Sequence, residues 1–268
     1  MENIQHIVAV ASGKGGVGKS TTAVNLALGL QAQGLRVGLL DADIYGPSLA
    51  VMLGVAEGTR PETREGQWLV PVTAHGLKTM SMAYLTNERT PAVWRGPMAG
   101  GALVQMLEQT EWGSLDYLII DMPPGTGDIQ LTLSQKAQLA GAVIVTTPQD
   151  LALLDARKGI EMFRKVDVPV LGVIENMALH VCSNCGHAES IFGSDGGERI
   201  AGEYHVPLLG SLPLDREIRE QTDAGTPTVI AAPDSPAAQA YLAAARALDD
   251  TLGGDSAPAA PTISVTDD

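Results

Sequence analysis

The chain has 268 residues and a formal net charge of −14, from 17 Lys and Arg against 31 Asp and Glu. This charge disfavours a nucleic-acid partner, because phosphate binding needs clustered basic residues. No apolar stretch reaches the roughly 18 to 20 residues of a membrane span, and the first residues lack the basic segment of a signal peptide, so we expect a cytoplasmic protein with no membrane partner.

The first elements form a repeated pattern of strand and helix. Residues 4–11 are apolar and β-branched, glycines cluster over 13–18, and apolar residues recur at helical spacing over 21–30. This order predicts a strand, a loop and a helix. A second buried strand is predicted over 37–40 and ends just before Asp41. The pattern is typical of an α/β sheet, in which such strands lie side by side.

A region rich in Gly, Pro and Thr follows over residues 54–95. It contains two short alternating runs, at 68–72 and 77–82, which favour strands. We interpret this region as a small hairpin insertion in the α/β fold.

Apolar runs then alternate with helical patterns to the end of the chain. We expect strands at 117–120, 142–145, 169–174 and 206–212, and helices at 98–109, 129–140, 151–166 and 236–252. The alternation predicts a mostly parallel sheet with helices on both faces. Together these elements indicate a single α/β domain over residues 1–252, followed by a disordered acidic tail at 253–268.

The glycine cluster carries the strongest motif. Residues 13–20 read Gly-Lys-Gly-Gly-Val-Gly-Lys-Ser, which fits the phosphate-loop pattern GxxxxGK[ST] between a strand and a helix. The glycines let backbone N–H groups surround a phosphate, Lys19 reaches the outer phosphates, and the Ser20 hydroxyl ligates Mg²⁺. The candidate ATP-binding residues here are Gly13, Lys14, Gly15, Gly16, Val17, Gly18, Lys19, Ser20 and Thr21.

A dinucleotide site is a rival interpretation of the same residues. The pattern GxGxxG is also present over 13–18, and Asp41 follows roughly 20 residues later, where a dinucleotide fold keeps its ribose-binding acid. A dehydrogenase, however, has no need of the continuation at 19–21, nor of a second carboxylate, Asp121, after the apolar run at 118–120. These two features favour a nucleoside triphosphate, and with it an α/β fold of the P-loop NTPase class.

Lys14 places a second basic side chain in the loop. The pattern KGGxGK[ST] from Lys14 to Ser20 resembles the deviant Walker A ATPases, which include MinD and the nitrogenase iron protein. In that group the early lysine reaches the nucleotide of the other subunit, so the resemblance implies a homodimer that encloses ATP. Independently of the resemblance, Lys14 and Lys19 can help to neutralise ATP in an acidic protein, and both are candidate catalytic residues.

Four carboxylates follow predicted strand ends, where open α/β sheets bind ligands: Asp41, Asp43, Asp121 and Asp128. We expect them to converge on the phosphates. The resemblance implies that Asp43 orients the attacking water and that Asp121 supports magnesium with Ser20 and Asp43, while Asp41 supports the loop.

The run at 121–128, with Gly125 at its centre, is rich in proline and glycine. This composition predicts a switch loop that responds to the γ-phosphate and includes Asp41, Asp121, Gly125 and Asp128, with a rigid turn as the alternative. The same resemblance implies that Asn176 contacts the adenine and that Pro213 and Asp215 border the base and ribose.

The only two cysteines, Cys182 and Cys185, form a CxxC pair followed by Gly186. Two cysteines are too few for a disulfide scaffold, and their spacing is typical of a metal knuckle. Two thiolates cannot fill a four-ligand site, so the other ligands come from His180 and His187 or from a second copy of the chain. An iron-sulfur cluster, a structural Zn²⁺ and a redox pair all remain open.

With the cysteines included, residues 4–252 resemble the Mrp/ApbC family of iron-sulfur cluster carrier ATPases. The matching segments are the phosphate loop and residues 41–48, 94–98, 121–128, 146–150 and 182–186. The resemblance implies a homodimer that holds a labile 4Fe-4S cluster between two CxxC pairs. It further implies that ATP use controls delivery of the cluster to apo-proteins, with cluster-assembly scaffolds as further partners.

The main alternative is a positioning ATPase, similar to MinD or ParA, whose CxxC pair binds a structural zinc at the dimer interface. Such proteins need a basic amphipathic C-terminal helix or a basic DNA-binding face. The predicted last helix instead carries Arg246 with Asp249 and Asp250. We therefore expect its apolar face to pack on the body of the protein.

Overall fold

The computed structural model describes residues 3–85 and 96–253, without the side chains of residues 96–99. The predicted tail beyond Gly253 and the first two residues of the matching segment at 94–98 lie outside the described residues. In chain order the strands are β1 (Ile4–Ala11), β2 (Val37–Asp41), β3 (Thr63–Arg64), β4 (Trp68–Leu69), β5 (Val72–Ala74), β6 (Leu77–Ser81), β7 (Leu115–Asp121), β8 (Gly141–Thr146), β9 (Val170–Val181), β10 (Ala188–Glu189) and β11 (Leu208–Pro213).

The α-helices cover the central sheet on its two faces. They are α1 (Lys19–Gln31), α2 (Leu49–Met52), α3 (Gly96–Gln109), α4 (Asp128–Lys136), α5 (Asp150–Lys165), α6 (Gly196–Tyr204), α7 (Arg216–Asp223), α8 (Thr228–Ala231) and α9 (Pro236–Gly253). One hydrophobic cluster packs α3, α4, α5 and α6 on one face, and a second packs α1, α7, α8 and α9 on the other.

The central sheet has the strand order β10-β9-β8-β1-β7-β2-β6-β5, and β11 also pairs with β9. Neighbours in it are parallel except for β5, which is antiparallel to β6, and β10, which is antiparallel to the end of β9. Its middle strands are aliphatic and buried on both sides, as Val8, Ala9 and Val10 show, because helices cover both faces. The predicted mostly parallel sheet with helices on both faces is confirmed, and so is the first strand-loop-helix unit.

The small hairpin expected within residues 54–95 is present in the described residues 54–85, where β5 and β6 pair as an antiparallel hairpin, and its second strand also joins the central sheet. Strands β3 and β4 form a separate two-stranded sheet, but β6 pairs in parallel with β2 and belongs to the central sheet. Leu77 and Met80 are fully buried there. A short alternating run does not reveal which strand it will pair with, so this placement depends on tertiary contacts.

Strand β9 is longer than the strand predicted at 169–174. It continues beyond Glu175, its last residue paired with β8, to Val181, where its end pairs with β10. Between these parts Met177 adopts a positive φ of 56°. The outer part of β9 therefore forms an arm that carries the two cysteines away from the core.

The last helix, α9, packs on α1 as expected from its charge pattern. Its buried face consists of Ala237, Ala238, Tyr241, Ala244, Ala245, Leu248 and Leu252. The two helices approach so closely that a Cβ at Gly29 would lie 2.8 Å from the Cβ of Ala245. No helix in the described part of the chain is long and apolar enough to span a membrane.

This close approach predicts opposite effects for two identical substitutions in helices. Gly29→Ala should lower the free energy of unfolding by about 1–3 kcal/mol, because the added methyl group overpacks the contact with Ala245. Gly101→Ala should raise it by about 0.5–1 kcal/mol, because Gly101 is exposed in α3 and a Cβ there meets open space. Urea unfolding of both variants measures the two values, and a stabilised Gly29→Ala protein would contradict the packing.

Candidate functional site

The phosphate loop lies between the end of β1 and the start of α1. Gly16 and Gly18 adopt φ angles of 82° and 81°, which favour glycine. Helix α1 begins without a side-chain cap and without an acidic residue in its first turn, whereas α4 and α5 begin with Asp128 and Asp150. The first N–H groups of α1 are therefore suited to bind an anion at the positive end of the helix.

Neighbouring elements hold the loop in place. A Cβ at Gly13 would lie 2.0 Å from the carbonyl oxygen of Asp155, so only glycine permits this approach to α5. The carbonyl of Ser12 accepts a hydrogen bond from the Gly125 N–H at 2.9 Å. The Asn176 side chain donates to the carbonyl of Val17 at 2.8 Å. By contrast, Gly15 and Gly16 face open space, where a phosphate can approach.

A buried ion pair lies beneath the loop. Lys19 Nζ donates to Oδ1 of Asp121 and also lies 3.2 Å from the Ser20 hydroxyl oxygen. The two charged side chains are only 6% and 0% exposed. Burial raises the pKa of Asp121, and the charge of Lys19 opposes this rise. The loop is thereby joined to the end of β7.

The second oxygen of this carboxylate is available to bind a cation. Asp121 Oδ2 is buried and has no hydrogen-bond partner, while Ser20 also lies within reach of the carboxylate. The negative charge of half-buried Asp43 is close enough to raise the pKa of Asp121. Carboxylate and hydroxyl oxygens of this kind fit Mg²⁺, which prefers hard oxygen ligands.

Asp41 lies beside Asp121 on the adjacent strand β2. Its Oδ2 accepts hydrogen bonds from the Ser48 N–H at 3.0 Å, the Leu49 N–H at 3.2 Å and the Ser81 hydroxyl at 3.0 Å. Its Oδ1 accepts from the Asp43 N–H at 3.1 Å. Asp41 therefore shapes the segment that follows β2. Burial, with a contribution from Asp121, raises the pKa of Asp41 to about 7.

The segment after β7 is held by a residue that sequence reasoning missed. The Gln130 side chain donates to the carbonyls of Pro123 and Pro124 at 3.2 and 2.8 Å, and Gly125 has a φ of 95°. Asp128 is exposed at the first position of α4. No sequence signal marks Gln130, because an amide inside a predicted helix has no motif of its own.

A cleft of about 230 Å³ opens beside the end of the phosphate loop. It brings together residues that are far apart in the chain. Its walls include Gly18, Thr21, Asn176, Pro213 and Asp215, with apolar surface from Met52, Met177, Ile218 and Tyr241. All three residues expected near the base and ribose thus line one cleft, whose apolar walls suit a planar base.

The two cysteines lie in an exposed hairpin between β9 and β10. The Cys182 N–H donates to the carbonyl of His187 at 2.9 Å, and the Gly186 N–H, at a residue with a φ of 72°, donates to the carbonyl of Cys182 at 2.8 Å. Backbone N–H groups of Asn184 and Cys185 donate to the Cys182 sulfur and lower its pKa. This hairpin favours a thiolate that can bind metal.

The histidines near the pair do not complete a site within one chain. Over residues 3–85 and 96–253, no three His, Cys, Asp or Glu side chains cluster closely enough to hold a metal ion. The ring of His180 is instead bonded through Nδ1 to the carbonyl of Leu214 at 2.9 Å.

The matching family model and close relatives of this chain point to the same family. Residues 3–249 match the family model described as ParA, NUBPL iron-transfer P-loop NTPase. The iron-sulfur cluster carrier protein of Pseudomonas fragi is 68% identical over 241 residues, which cover 90% of this chain and 84% of that protein. A protein of the same name from Escherichia coli (strain K12) is 60% identical over 88% of this chain, which spans 63% of the length of that relative.

Solved structures show the same architecture. A nucleotide-binding protein from Archaeoglobus fulgidus, solved in complex with ADP, is 37% identical with a TM-score of 0.72, and the match covers 84% of this chain and 88% of that one. The cell division ATPase MinD of Pyrococcus furiosus has a TM-score of 0.68 at 23% identity, with 92% and 99% of the two chains covered. The MinD comparison establishes the shared fold, while the carrier proteins are far closer in sequence.

The buried Asp41 predicts a pH dependence of stability. Because its pKa rises from the ordinary 3.8 to about 7, the folded chain binds this proton more tightly than the unfolded chain does. Its stabilising contribution is complete below pH 3.8 and is lost as the pH rises through about 7. Asp41→Asn should therefore reduce the decline in unfolding free energy over this range by on the order of 3 kcal/mol.

Urea unfolding at several pH values measures that decline. Asp128→Asn removes the same formal charge from the exposed start of α4 and controls for net charge. Equal pH dependence in the wild type and Asp41→Asn would show that Asp41 does not bind the proton in this range.

Proposed function

The chain belongs to the NUBPL-type family of iron-transfer P-loop NTPases, and on this premise we propose that it is an ATP-hydrolysing carrier of iron-sulfur clusters. Two copies would hold a labile 4Fe-4S cluster between their CxxC pairs and transfer it to apo-proteins. One observation carries the proposal: strand β9 supplies a wall of the nucleotide cleft and ends in a cysteine pair that lacks further ligands in the described part of its own chain.

In this proposal the phosphate loop from Gly13 to Thr21 binds ATP through its backbone N–H groups and the start of α1. Lys19 contacts the outer phosphates, and Lys14, half-buried in the loop, reaches the nucleotide of the partner subunit. Asn176, Pro213 and Asp215 border the base and ribose in the adjacent cleft. Two lysines offset the negative charge of ATP in an otherwise acidic protein.

Hydrolysis requires a positioned water and compensation of negative charge on the phosphates. Asp43 would orient the water, while Ser20, Asp43 and Asp121 would hold Mg²⁺. Bound there, Mg²⁺ neutralises charge on the phosphate oxygens. We expect slow turnover, coupled to binding or transfer of the cluster, with Asp41, Asp121, Gly125 and Asp128 in the segments that respond to the γ-phosphate.

The cysteine hairpin gives the cargo site. A chain with two thiols supplies half of a four-thiolate site, and a twofold axis repeats both ligands. Exposure of Cys185 at the hairpin suits a cluster that must be received and released. Apo iron-sulfur proteins and cluster-assembly scaffolds are the partners this exchange requires, and the carrier names of the relatives support the assignment.

The cargo assignment predicts the metal content of one variant. After anaerobic reconstitution the wild type should hold about two irons and two sulfides per chain, as a cluster shared by two copies requires. Cys182→Ser should lose most of both, because one of the two thiolates in each chain is removed. Iron, sulfide and zinc analysis measures this, with Ser183→Ala as the control in the same turn. A full cluster in Cys182→Ser, or zinc without iron in the wild type, would contradict the proposal.

The role of Asp43 predicts a loss of turnover without a loss of binding. Asp43→Asn should lower kcat for ATP hydrolysis by about 10² or more, because the neutral amide is a much weaker acceptor and base for the proton of the attacking water than the carboxylate is. ADP affinity measured without Mg²⁺ should stay within about threefold, since that binding depends on the loop and the cleft and not on the Mg²⁺ ligands. Phosphate release and ADP titration test this beside Asp250→Asn, an exposed carboxylate of α9. Normal turnover of Asp43→Asn would remove its assigned role.

A further inference from the structure

A single strand connects the nucleotide cleft to the cysteine pair. Asn176 and Met177 of β9 line the cleft, and the same strand runs on to Val181, directly before Cys182. Six residues of extended chain span about 20 Å, so the two sites are separate but share one backbone. The positive φ of Met177 marks a bend at the boundary between sheet and arm. Contacts beyond the bend therefore set the direction of the arm.

Those contacts come from the opposite wall of the cleft. Pro213, at the end of β11, pairs with Leu179 of the arm. The Leu214 N–H donates to the carbonyl of Leu179 at 2.8 Å, and the carbonyl of Leu214 accepts from the His180 ring at 2.9 Å. Both backbone groups of Leu214, a residue that lines the cleft, are thus bonded to the arm.

The partner of His180 determines which ring nitrogen carries a proton. A carbonyl oxygen only accepts hydrogen bonds, so Nδ1 of His180 carries a proton and donates it. The next residue of the cleft, Asp215, accepts from the Glu217 N–H at 2.8 Å and caps α7, whose Ile218 and Thr222 also face the cleft. A nucleotide base that displaces this wall of the cleft therefore also displaces the Leu214 carbonyl, which accepts the hydrogen bond from His180.

We propose that His180 is a positioning residue that couples nucleotide binding in the cleft to the geometry of the Cys182 and Cys185 hairpin. The inference rests on the proposed function, because it requires nucleotide in the cleft and metal at the cysteines. When a bound nucleotide base displaces Leu214, the hydrogen bond makes His180 move with it. His180 lies two residues before Cys182, so this movement changes the position of the cysteine hairpin. Because linkage between two binding sites is reciprocal, metal at the cysteines must change nucleotide affinity by the same factor.

The test measures ADP affinity with and without Co²⁺ at the cysteine pair. Calorimetry on the full chain gives the ADP dissociation constant, and thiolate-to-cobalt absorption reports the metal. In the wild type we expect Co²⁺ to change ADP affinity by about fivefold or more. His180→Phe keeps a ring but has no donor, so this factor should fall to about one. His180→Asn retains an N–H donor near the position of Nδ1 and should restore most of the effect.

The outcomes separate this inference from the proposed function. ADP affinity of metal-free His180→Phe should match that of the wild type within about twofold, because His180 does not line the cleft. Wild-type protein that binds Co²⁺ with unchanged ADP affinity overturns the coupling alone. Retention of the full effect in His180→Phe also overturns it and indicates that another contact carries the linkage. A wild type that binds no Co²⁺ through its thiolates contradicts both proposals.

Discussion

The buried pair of Lys19 and Asp121 is the interaction on which the candidate site depends. Removing two charges from water costs several kcal/mol per ion, and this cost is offset only when the charges remain paired in good geometry. The pair joins the first helix to β7 beneath the phosphate loop, and the adjacent register of Asp41 places a second buried carboxylate beside it. The phosphate loop, the oxygens available to a cation and the segment after β2 are therefore all held by this pair and by the neighbouring Asp41.

Much of this centre could be predicted from local patterns. The phosphate loop needs glycines, a lysine and a hydroxyl at fixed spacing, and these requirements are visible in one short segment. The carboxylates Asp41 and Asp121 follow buried strands, and parallel strands end at the same edge of a sheet. The adenine-side residues Asn176, Pro213 and Asp215 came only from the family resemblance. The structure does bring them together in one cleft, yet their contact with nucleotide stays a prediction.

Other features depend on contacts that sequence patterns do not encode. Strand β6 joined the central sheet because of its partner β2, which its short alternation does not specify. The apolar run at the start of β9 meets the polar residues Glu175 and Asn176, so a strand predicted from that run ends before the half-buried and exposed outer part. Helix α7 was missed because its charged sequence buries only Ile218 and Thr222. Gln130 belongs to no motif. It holds the loop after β7 only because that loop folds back towards α4, the helix that carries Gln130.

The packing of α9 on α1 also has a consequence for how the chain folds. The apolar side of α1 is covered by residues from Ala237 onwards, and the backbone N–H of Val229 donates to Asn25 across 204 positions of sequence. Contacts of such long range close large loops and form slowly. During synthesis the hydrophobic side of α1 therefore stays exposed to solvent until almost the whole described chain has left the ribosome. Nascent chains of this topology will depend on chaperones over that interval more than proteins whose first helix packs on its neighbours in sequence.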